Sequence, residues 1–573
     1  MSHAHTELGA VKLRVDPGID AGMPVDVAIV GGGSVAVSFL YQLLLSWQAQ
    51  GLPRPPSPSL SVSLSVSLFE PQAEPGPGGA YQEDLPSNLL NIPAGTMSAR
   101  ADHRLDFVEW LRAQDPAWLR GYGVTDIQPS DFLPRPLFGA YLRAVYARCR
   151  DLAHALGIAL AHVPCRVRRV SPLPNGTVYV EPDGAPPCVA RYAVLCNGNL
   201  PSQAFPALHN APGYFNSPYP VAELAAGIPP DASVCIVGTS LSAVDAVAAL
   251  QQAGHRGPLL CVSRNGRLPS VRSPHNQPPA ALRHLSREGA VALAMRHGGA
   301  LSLEVIAQAL QDEVRAMGGA LDADEIFGLT TDAASALDEE IRRSLQAARP
   351  WQAVAAATNA AVDEIWRLLP DTERHRFQSR WRALWMARRA TFPMRNALKL
   401  QALFKTAQLQ VRAGFMDCHH DAVGAQFHIR FRAPDGSAVH RSDVLINATS
   451  FSVDAARTDD ALVAGLLRDG HAVSDAFGGL ALDFDTGCVR NAQGAVWEQV
   501  SVLGSLAGGT YFWTTSMDVN ARLARDQAAR IAAALPARVG ATDPDNRAGN
   551  PSLAKWTAHR PTHPAPAASS WPR

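Results

Sequence analysis

An apolar run of strand type, Val25 to Val30 (VDVAIV), passes without a spacer into Gly31-Gly32-Gly33-Ser34-Val35-Ala36, and a helical stretch follows from about Ser34 to Ala49. A GxGxxA spacing at a strand-to-helix turn serves three ends. The first glycine permits the tight turn, the second lets backbone approach a pyrophosphate, and the small third residue lets helix pack on strand. Phosphate then sits at the helix N-terminus, where unpaired N–H groups and the helix dipole favour an anion. The segment Gly51 to Pro58 is proline-rich and reads as loop. Leu60 to Phe69 (LSVSLSVSLF) alternates serine with apolar residues at period two and reads as a strand rather than as low complexity. It ends in Glu70, a carboxylate able to accept from ribose hydroxyls, and the proline-rich insertion explains why that acid comes late. Residues 25 to 70 are therefore read as a dinucleotide-binding β-α-β unit.

The pattern recurs. Near Ala232 the run SVCIVG is again strand then glycine, followed by a helical stretch to about Gln252 and a third apolar run, Pro258 to Ser263. Here the motif is Gly238-Thr239-Ser240-Leu241-Ser242-Ala243, with Ser240 in place of the middle glycine, so backbone approach is expected to be looser. The third run ends in Ser263-Arg264 instead of an acid, and a guanidinium engages a 2′-phosphate where a carboxylate repels it; this favours NADPH over NADH. Gly238-x-Ser240 also resembles the start of a nucleophile elbow, but the fifth position is Ser242, not glycine, and the context matches the first nucleotide motif.

Between about Ala280 and Arg412 the chain changes to long Ala-, Leu- and Arg-rich stretches of helical spacing, read as a helical insertion. It carries Phe377, Trp381 and Trp385 at i, i+4 and i+8, with Arg388 and Arg389 continuing that face and Arg395 beyond it. That face is mostly core packing with a basic edge, and these three arginines are candidates to clamp a substrate carboxylate. Strands resume at Asp443 to Ala448 (DVLINA) and Val500 to Leu503, before a helix from about Val519 to Leu535. The expected division is an arm over 1–24, a discontinuous first nucleotide domain over 25–225 and 413–541, a second nucleotide-domain core over 226–279, the insertion over 280–412, and a disordered tail over 542–573. The fold class is α/β, with two Rossmann-like dinucleotide-binding domains.

Lys plus Arg (51) balance Asp plus Glu (51), so no net field draws the chain to nucleic acid or an anionic membrane, and its partners are expected to be small molecules. The eight cysteines lack CxxC pairs and are read as reduced thiols. No stretch reads as a signal peptide or a membrane span, so a cytoplasmic location is expected. Cys418-His419-His420-Asp421 invites a metal reading, but adjacent residues rarely converge on one ion, and a solvated turn is expected there.

Several further elements carry a resemblance: Asn88-Leu89-Leu90-Asn91-Ile92-Pro93-Ala94 with Met97-Ser98, Phe132-Leu133-Pro134-Arg135 followed by Gly139-x-Tyr141-Leu142, and Ala193 to Asn199 (AVLCNGN). With them go the GTSLSAVD unit, Ser263-Arg264-Asn265-Gly266-x-Leu268-Pro269, Leu503-Gly504, and the last helix with Arg522, Asp526, Gln527 and Ala528. Over about residues 25 to 535 the chain resembles bacterial flavoproteins with paired FAD and NAD(P) domains, a group that includes a flavin-dependent urate hydroxylase and the aspartate N-oxygenase that forms nitrosuccinate. It is more distantly similar to amine N-hydroxylating flavin monooxygenases, whose Dx₃[LF]ATGY element matches Asp443 to Phe451 in spacing but differs at Asn447, Ser450 and Phe451. The resemblance implies FAD at Gly31, Gly33, Ser34, Val35, Ala36 and Glu70, with Asn91 and Met97 near the isoalloxazine and Arg135 on the FAD side. Gly504 and the helix start at Met517 and Asp518 would lie near the pyrimidine edge. NADPH would lie at Gly238, Thr239, Ser240, Leu241, Ser242, Ser263 and Arg264.

The function so implied is a monooxygenase: NADPH supplies electrons through FAD, and one atom of O₂ passes to a small nucleophilic substrate, an amine or amino acid of aspartate type. Urate is the alternative substrate. A nucleotide-binding flavoprotein without turnover and an NADPH electron-transfer reductase are the other classes, the absence of CxxC removing only a disulfide reductase.

Overall fold

The computed structural model describes residues 22–51, 64–275, 279–328, 332–433 and 436–535. The expected tail, most of the arm and most of the proline-rich loop lie outside them. Six strands occupy the first part of the chain: β1 (Gly22–Val30), β2 (Ser65–Phe69), β3 (Ala159–Val163), β4 (Val167–Pro172), β5 (Val178–Pro182) and β6 (Cys188–Leu195). Three follow, β7 (Tyr214–Phe215), β8 (Val234–Val237) and β9 (Leu259–Val262). After the helical insertion come β10 (Leu409–Arg412), β11 (Phe415–Asp421), β12 (Gln426–Ala433), β13 (Gly436–Ser442), β14 (Val444–Asn447), β15 (Cys488–Arg490) and β16 (Val496–Val502).

These strands form three sheets. The first has the order β15-β16-β6-β1-β2-β3, with the β4–β5 hairpin joined to β6; the second is β10-β9-β8-β14-β7; the third is the antiparallel β11-β12-β13. In the first, β1 runs parallel to both β2 and β6; in the second, β8 runs parallel to both β9 and β14. Each sheet therefore reverses its strand order beside one central strand, and the crevice for a ligand opens at the C-terminal end of that strand. Val27, Ala28, Ile29 and Cys235, Ile236 are fully buried, as central parallel strands covered on both faces must be. Even the serine-alternating strand is covered on both sides, with Ser67 buried and Ser65 Oγ bonded to the Asp26 main-chain N–H at 3.1 Å.

The expected domain boundaries shift in two places. Val444–Asn447, expected within the 413–541 part of the first nucleotide domain, pairs with β8 of the second sheet. Leu409–Arg412, expected as the end of the insertion, pairs with β9. Strands of four residues such as LQVR and VLIN carry no mark of which parallel sheet they complete, so composition alone could not separate these from partners of β1. The Cys418 to Asp421 segment is also a strand rather than a turn, with His419 opposite His428 and His420 opposite Phe427.

Helix Ser34–Ala49 buries Ala36, Phe39, Leu40, Leu43, Leu44 and Trp47 at recurring three- and four-residue steps, and packs on helix Met517–Ala534, where Gln42 Nε2 donates to Ala521 O (2.9 Å). The insertion begins its helices at side-chain caps: Ser286 Oγ accepts from Gly289 N, Ser302 Oγ from Val305 N, and Asp332 from Ala334 and Ser335 N. It docks on the C-terminal segment through Trp366 Nε1, which donates to Gly509 O (2.7 Å), and through buried Asp363, which accepts from Arg522 (2.8 Å) and Arg287 (2.6 Å). Burial alone would raise the Asp363 pKa; the two guanidinia outweigh it and hold the carboxyl low. No helix among the described residues is long and apolar enough to cross a membrane.

Candidate functional site

Gly31 ends β1 with φ +95°, and a Cβ there would lie 2.3 Å from Cys196 O at the end of β6. Its N–H donates to Phe69 O (2.9 Å), so the turn is fastened between the two neighbours of β1. Gly33, the N-cap of helix Ser34–Ala49, has φ −75° and ψ −170°, an extended conformation open to any residue. A Cβ on it would approach only Gly78, its Cα at 3.4 Å and its N at 3.9 Å. The helix start has no side-chain cap and no acid in its first turn, which leaves its N–H groups to a ligand. Val35 is half-buried and Ala36 wholly buried, as close helix-on-strand packing requires.

Glu70 is buried at the end of β2. Its Oε2 accepts from Gly32 N (2.7 Å) and its Oε1 from Gln72 N (3.0 Å), so besides any ribose contact it braces the glycine turn. A second glycine run, Pro75 to Gly79, closes over the first: Gly76 N donates to Gly32 O (2.7 Å), and a Cβ on Gly78 would come within 2.9 Å of Gly33 Cα. The sequence shows this Pro-Gly-Pro-Gly-Gly run plainly, and only its distance from the first motif hid its role.

The second turn repeats the glycine anchoring of the first, without the Glu70 brace. Gly238 has φ +135°, a Cβ on it would meet Ala448 O at 2.5 Å, and its N–H donates to Val262 O (2.7 Å). Ser240, the N-cap of helix Leu241–Gln252, has φ −94° and ψ −163°, the conformation of Gly33. The backbone is thus not loosened by the serine. Ser240 adds a side chain at an exposed position, and this helix start too lacks a side-chain cap. Thr239 Oγ1 donates to Arg267 O (2.7 Å) and lies 3.0 Å from Ser263 Oγ, tying the ends of β8 and β9 together. Arg264 is exposed just beyond. Ser242, expected at the nucleotide, lies 3.3 Å from the Tyr219 hydroxyl.

That hydroxyl belongs to the joint between the units. Arg135, expected on the FAD side, donates to Leu89 O (3.1 Å) and reaches Asp245 at 3.4 Å, with its guanidinium over the Tyr219 ring; Tyr219 donates to Asp245 Oδ2 (2.6 Å). Burial raises the Asp245 pKa against the pull of Arg135. Met97 is buried in the core of the first sheet and Asn91 is half-buried. Gly504, with φ +83°, is placed beside Val35 of the first helix. Met517 opens the last helix, and Asp518 in its first turn accepts from Asn359 Nδ2 (3.3 Å) and pairs with Arg104 (3.5 Å). Three buried acceptors or donors, Asn197 Oδ1 just past β6 and Ser87 Oγ and Asn88 Oδ1 in the loop before Arg135, have no protein partner. Two tight glycine turns, uncapped helix starts and unpartnered polar atoms fit a nucleotide cofactor.

Within the insertion lies a cavity of about 520 Å³, inside the roughly 300–1,000 Å³ usual for small-molecule pockets. Its wall includes Ile306, Leu310, Trp351, Phe377, Trp381 and Trp385, and it reaches Phe512 just before the last helix. The three aromatic residues singled out by spacing therefore line a cavity; a π-helical turn, Phe377–Trp381, precedes helix Arg382–Arg389. The three candidate arginines separate. Arg388 is engaged by Glu340 (3.0 Å), Ser270 Oγ (2.7 Å) and Ile326 O (2.7 Å), and Arg395 is exposed outside the cavity wall. Arg389 is buried on the wall, donates to Asn359 Oδ1 (2.6 Å) and stacks over Trp513. Burial and the neighbouring Arg272 pull its pKa down to about 10, so at neutral pH it is charged.

No curated protein matches the sequence. Residues 28–200 match the model of a family described as FAD-NAD(P)-binding. Among solved structures, the reduced form of an ornithine hydroxylase from Pseudomonas aeruginosa aligns over 90% of this chain and 100% of its own, at 15% identity and TM-score 0.51. An L-lysine 6-monooxygenase from Pseudomonas syringae aligns over 89% and 100%, at 15% identity and TM-score 0.52. An ornithine N-hydroxylase from Kutzneria, with reduced FAD, NADP⁺ and L-ornithine, aligns over 90% and 99%, at 16% identity and TM-score 0.50. At such identities the likeness is one of fold. The chain thus carries an FAD-NAD(P)-binding family region over residues 28–200, set in an α/β fold of two dinucleotide-binding units.

Proposed function

We propose that this protein is an FAD- and NADPH-dependent monooxygenase that oxygenates a nucleophilic nitrogen of an amine or amino acid. The observation that carries the reading is the pair of equivalent glycine turns, at Gly31 and at Gly238, each at the switch point of its own parallel sheet and joined through Arg135 and Asp245. The turn backed by Glu70 suits FAD, and the turn followed by Arg264 suits NADPH. FAD, when bound, supplies the means to pass two electrons from NADPH to O₂. Overall, substrate amine, O₂, NADPH and a proton give the N-hydroxylated amine, NADP⁺ and water.

The chain's own part is to hold the cofactors and to shape an apolar chamber. The cavity wall is mostly aliphatic and aromatic, and Asp518, Asn359 and Arg389 run in an unbroken chain of contacts from the start of the last helix to that wall. The fold neighbours that hydroxylate ornithine and lysine support an amine nitrogen as the target. The test is coupled consumption of NADPH and oxygen by the FAD-loaded protein, with L-aspartate, L-ornithine, L-lysine, urate and apolar amino acids supplied in turn. Stimulation by an amine or amino acid with release of its N-hydroxylated product supports the reading. Stimulation by urate alone would assign the alternative, and flavin that NADPH cannot reduce would make this a binding protein.

A further inference from the structure

The polar groups on the cavity wall can be followed one by one. Glu304 and Arg376 pair with each other, Arg388 is taken by Glu340, and Thr358 Oγ1 donates to Ala355 O within its own helix (2.7 Å). Arg389 remains. Among the described residues no carboxylate pairs with it, and its one side-chain hydrogen bond goes to a neutral amide. Arg272, close enough to depress its pKa, is likewise without a carboxylate partner, and its Nε is buried without any acceptor. Asp518 offsets part of this charge from a distance, but no carboxylate bonds to Arg389, and a guanidinium so placed on the wall favours an anion in the cavity. The remainder of the wall is aliphatic and aromatic, with Trp351, Trp366, Phe377 and Trp381 around one space.

The geometry points to an amino acid with a large apolar, aromatic side chain as the substrate, its carboxylate on Arg389 and its ring among the tryptophans. This rests on the monooxygenase reading above and narrows its substrate. Arg389 on the cavity wall connects through Asn359 to Asp518 at the start of the last helix. The α-amine, next to the carboxylate, is therefore the nitrogen at the cofactor end, and the side chain extends away from it. L-Aspartate would leave its second carboxylate, and L-ornithine its ammonium, against apolar wall without a partner, which opposes binding. An indole or phenyl ring instead gains area and edge-to-face contacts there.

The experiment uses the FAD-loaded full chain. Binding of L-tryptophan, L-phenylalanine, tryptamine, L-aspartate and L-ornithine is measured by calorimetry and by the flavin difference spectrum, and each is then assayed for coupled NADPH and oxygen consumption. The expected result is L-tryptophan or L-phenylalanine bound at least about tenfold more tightly than L-aspartate, and tryptamine, which lacks the carboxylate, weaker than L-tryptophan by roughly ten- to a hundredfold. In R389M that difference between L-tryptophan and tryptamine disappears; in R389K part of it returns. I306W, which fills the cavity, weakens both while FAD content stays at the wild-type level. L-Aspartate or L-ornithine as the tightest ligand, or a carboxylate preference that survives in R389M, would overturn this inference and leave the monooxygenase reading standing. Failure of NADPH to reduce the bound FAD would overturn both.

Discussion

Two single-methyl substitutions, two residues apart, should have different consequences. In Gly31→Ala the new Cβ meets Cys196 O at 2.3 Å, about 1 Å inside ordinary contact at 3.4 Å. The carbonyl cannot easily retreat, because Cys196 N is itself bonded to Val30 O (2.7 Å). The φ of +95° adds about 1–2 kcal/mol for a residue with a Cβ. Overpacking adds about 1–3 kcal/mol, so the turn is destabilised by about 2–5 kcal/mol, a sizeable part of the 5–15 kcal/mol typical of a folded domain. In Gly33→Ala the backbone is already extended and the nearest contact is at 3.4 Å, so folding should change by less than about 0.5 kcal/mol. The same methyl stands where a pyrophosphate would approach. Thermal melts of FAD-free protein and FAD titration by flavin fluorescence separate the two effects. G31A should melt several degrees lower and bind FAD at least about thirtyfold more weakly. G33A should melt like wild type and still lose about tenfold or more in FAD affinity. G31A with wild-type stability, or G33A as unstable as G31A, would mean that the clash with Cys196 O does not set the stability of the turn.

Further outcomes follow from the joint and from the second turn. Asp245→Ala strips the buried Arg135 of its partner and should cost about 3–5 kcal/mol, seen as a lower melting temperature and faster proteolysis between the two units. Ser240→Asp places a carboxylate at the second helix start and should raise the KM for NADPH roughly tenfold or more, with FAD content unchanged. Arg264→Ala should raise the KM for NADPH by about tenfold and leave that for NADH unaltered, which steady-state flavin reduction measures directly. R389M removes a buried, unpaired charge, so its melting temperature should equal or exceed that of wild type.

The glycine turns were legible in the sequence because their function is written into consecutive residues: strand, Gly31, Gly33, Ala36 and helix are neighbours in the chain, and so are Gly238, Ser240 and Ala243. The helical insertion was legible for a similar reason, its spacing being local. What sequence could not supply is what distant segments do together. The aromatic face at Phe377, Trp381 and Trp385 read mainly as core because nothing local says that Ile306, Leu310 and Trp351 leave a void against it. Arg388 and Arg389 are adjacent and look alike as candidates; only Glu340, some fifty residues away, decides that the first is already paired. That Arg135 also meets Asp245, from the second unit, is a contact neither segment announces by itself. The strand at Val444–Asn447 went to the wrong sheet because its apolar residues fit either.

A monooxygenase of this kind needs two nucleotides to meet in one chain. The most direct test is an anaerobic titration of the FAD-loaded protein with NADPH, following the visible absorption of the flavin. The bound flavin should bleach with one equivalent of NADPH, and NADH should be the poorer reductant. A protein that takes up no FAD, or one whose flavin stays oxidised in excess NADPH, would contradict the monooxygenase reading.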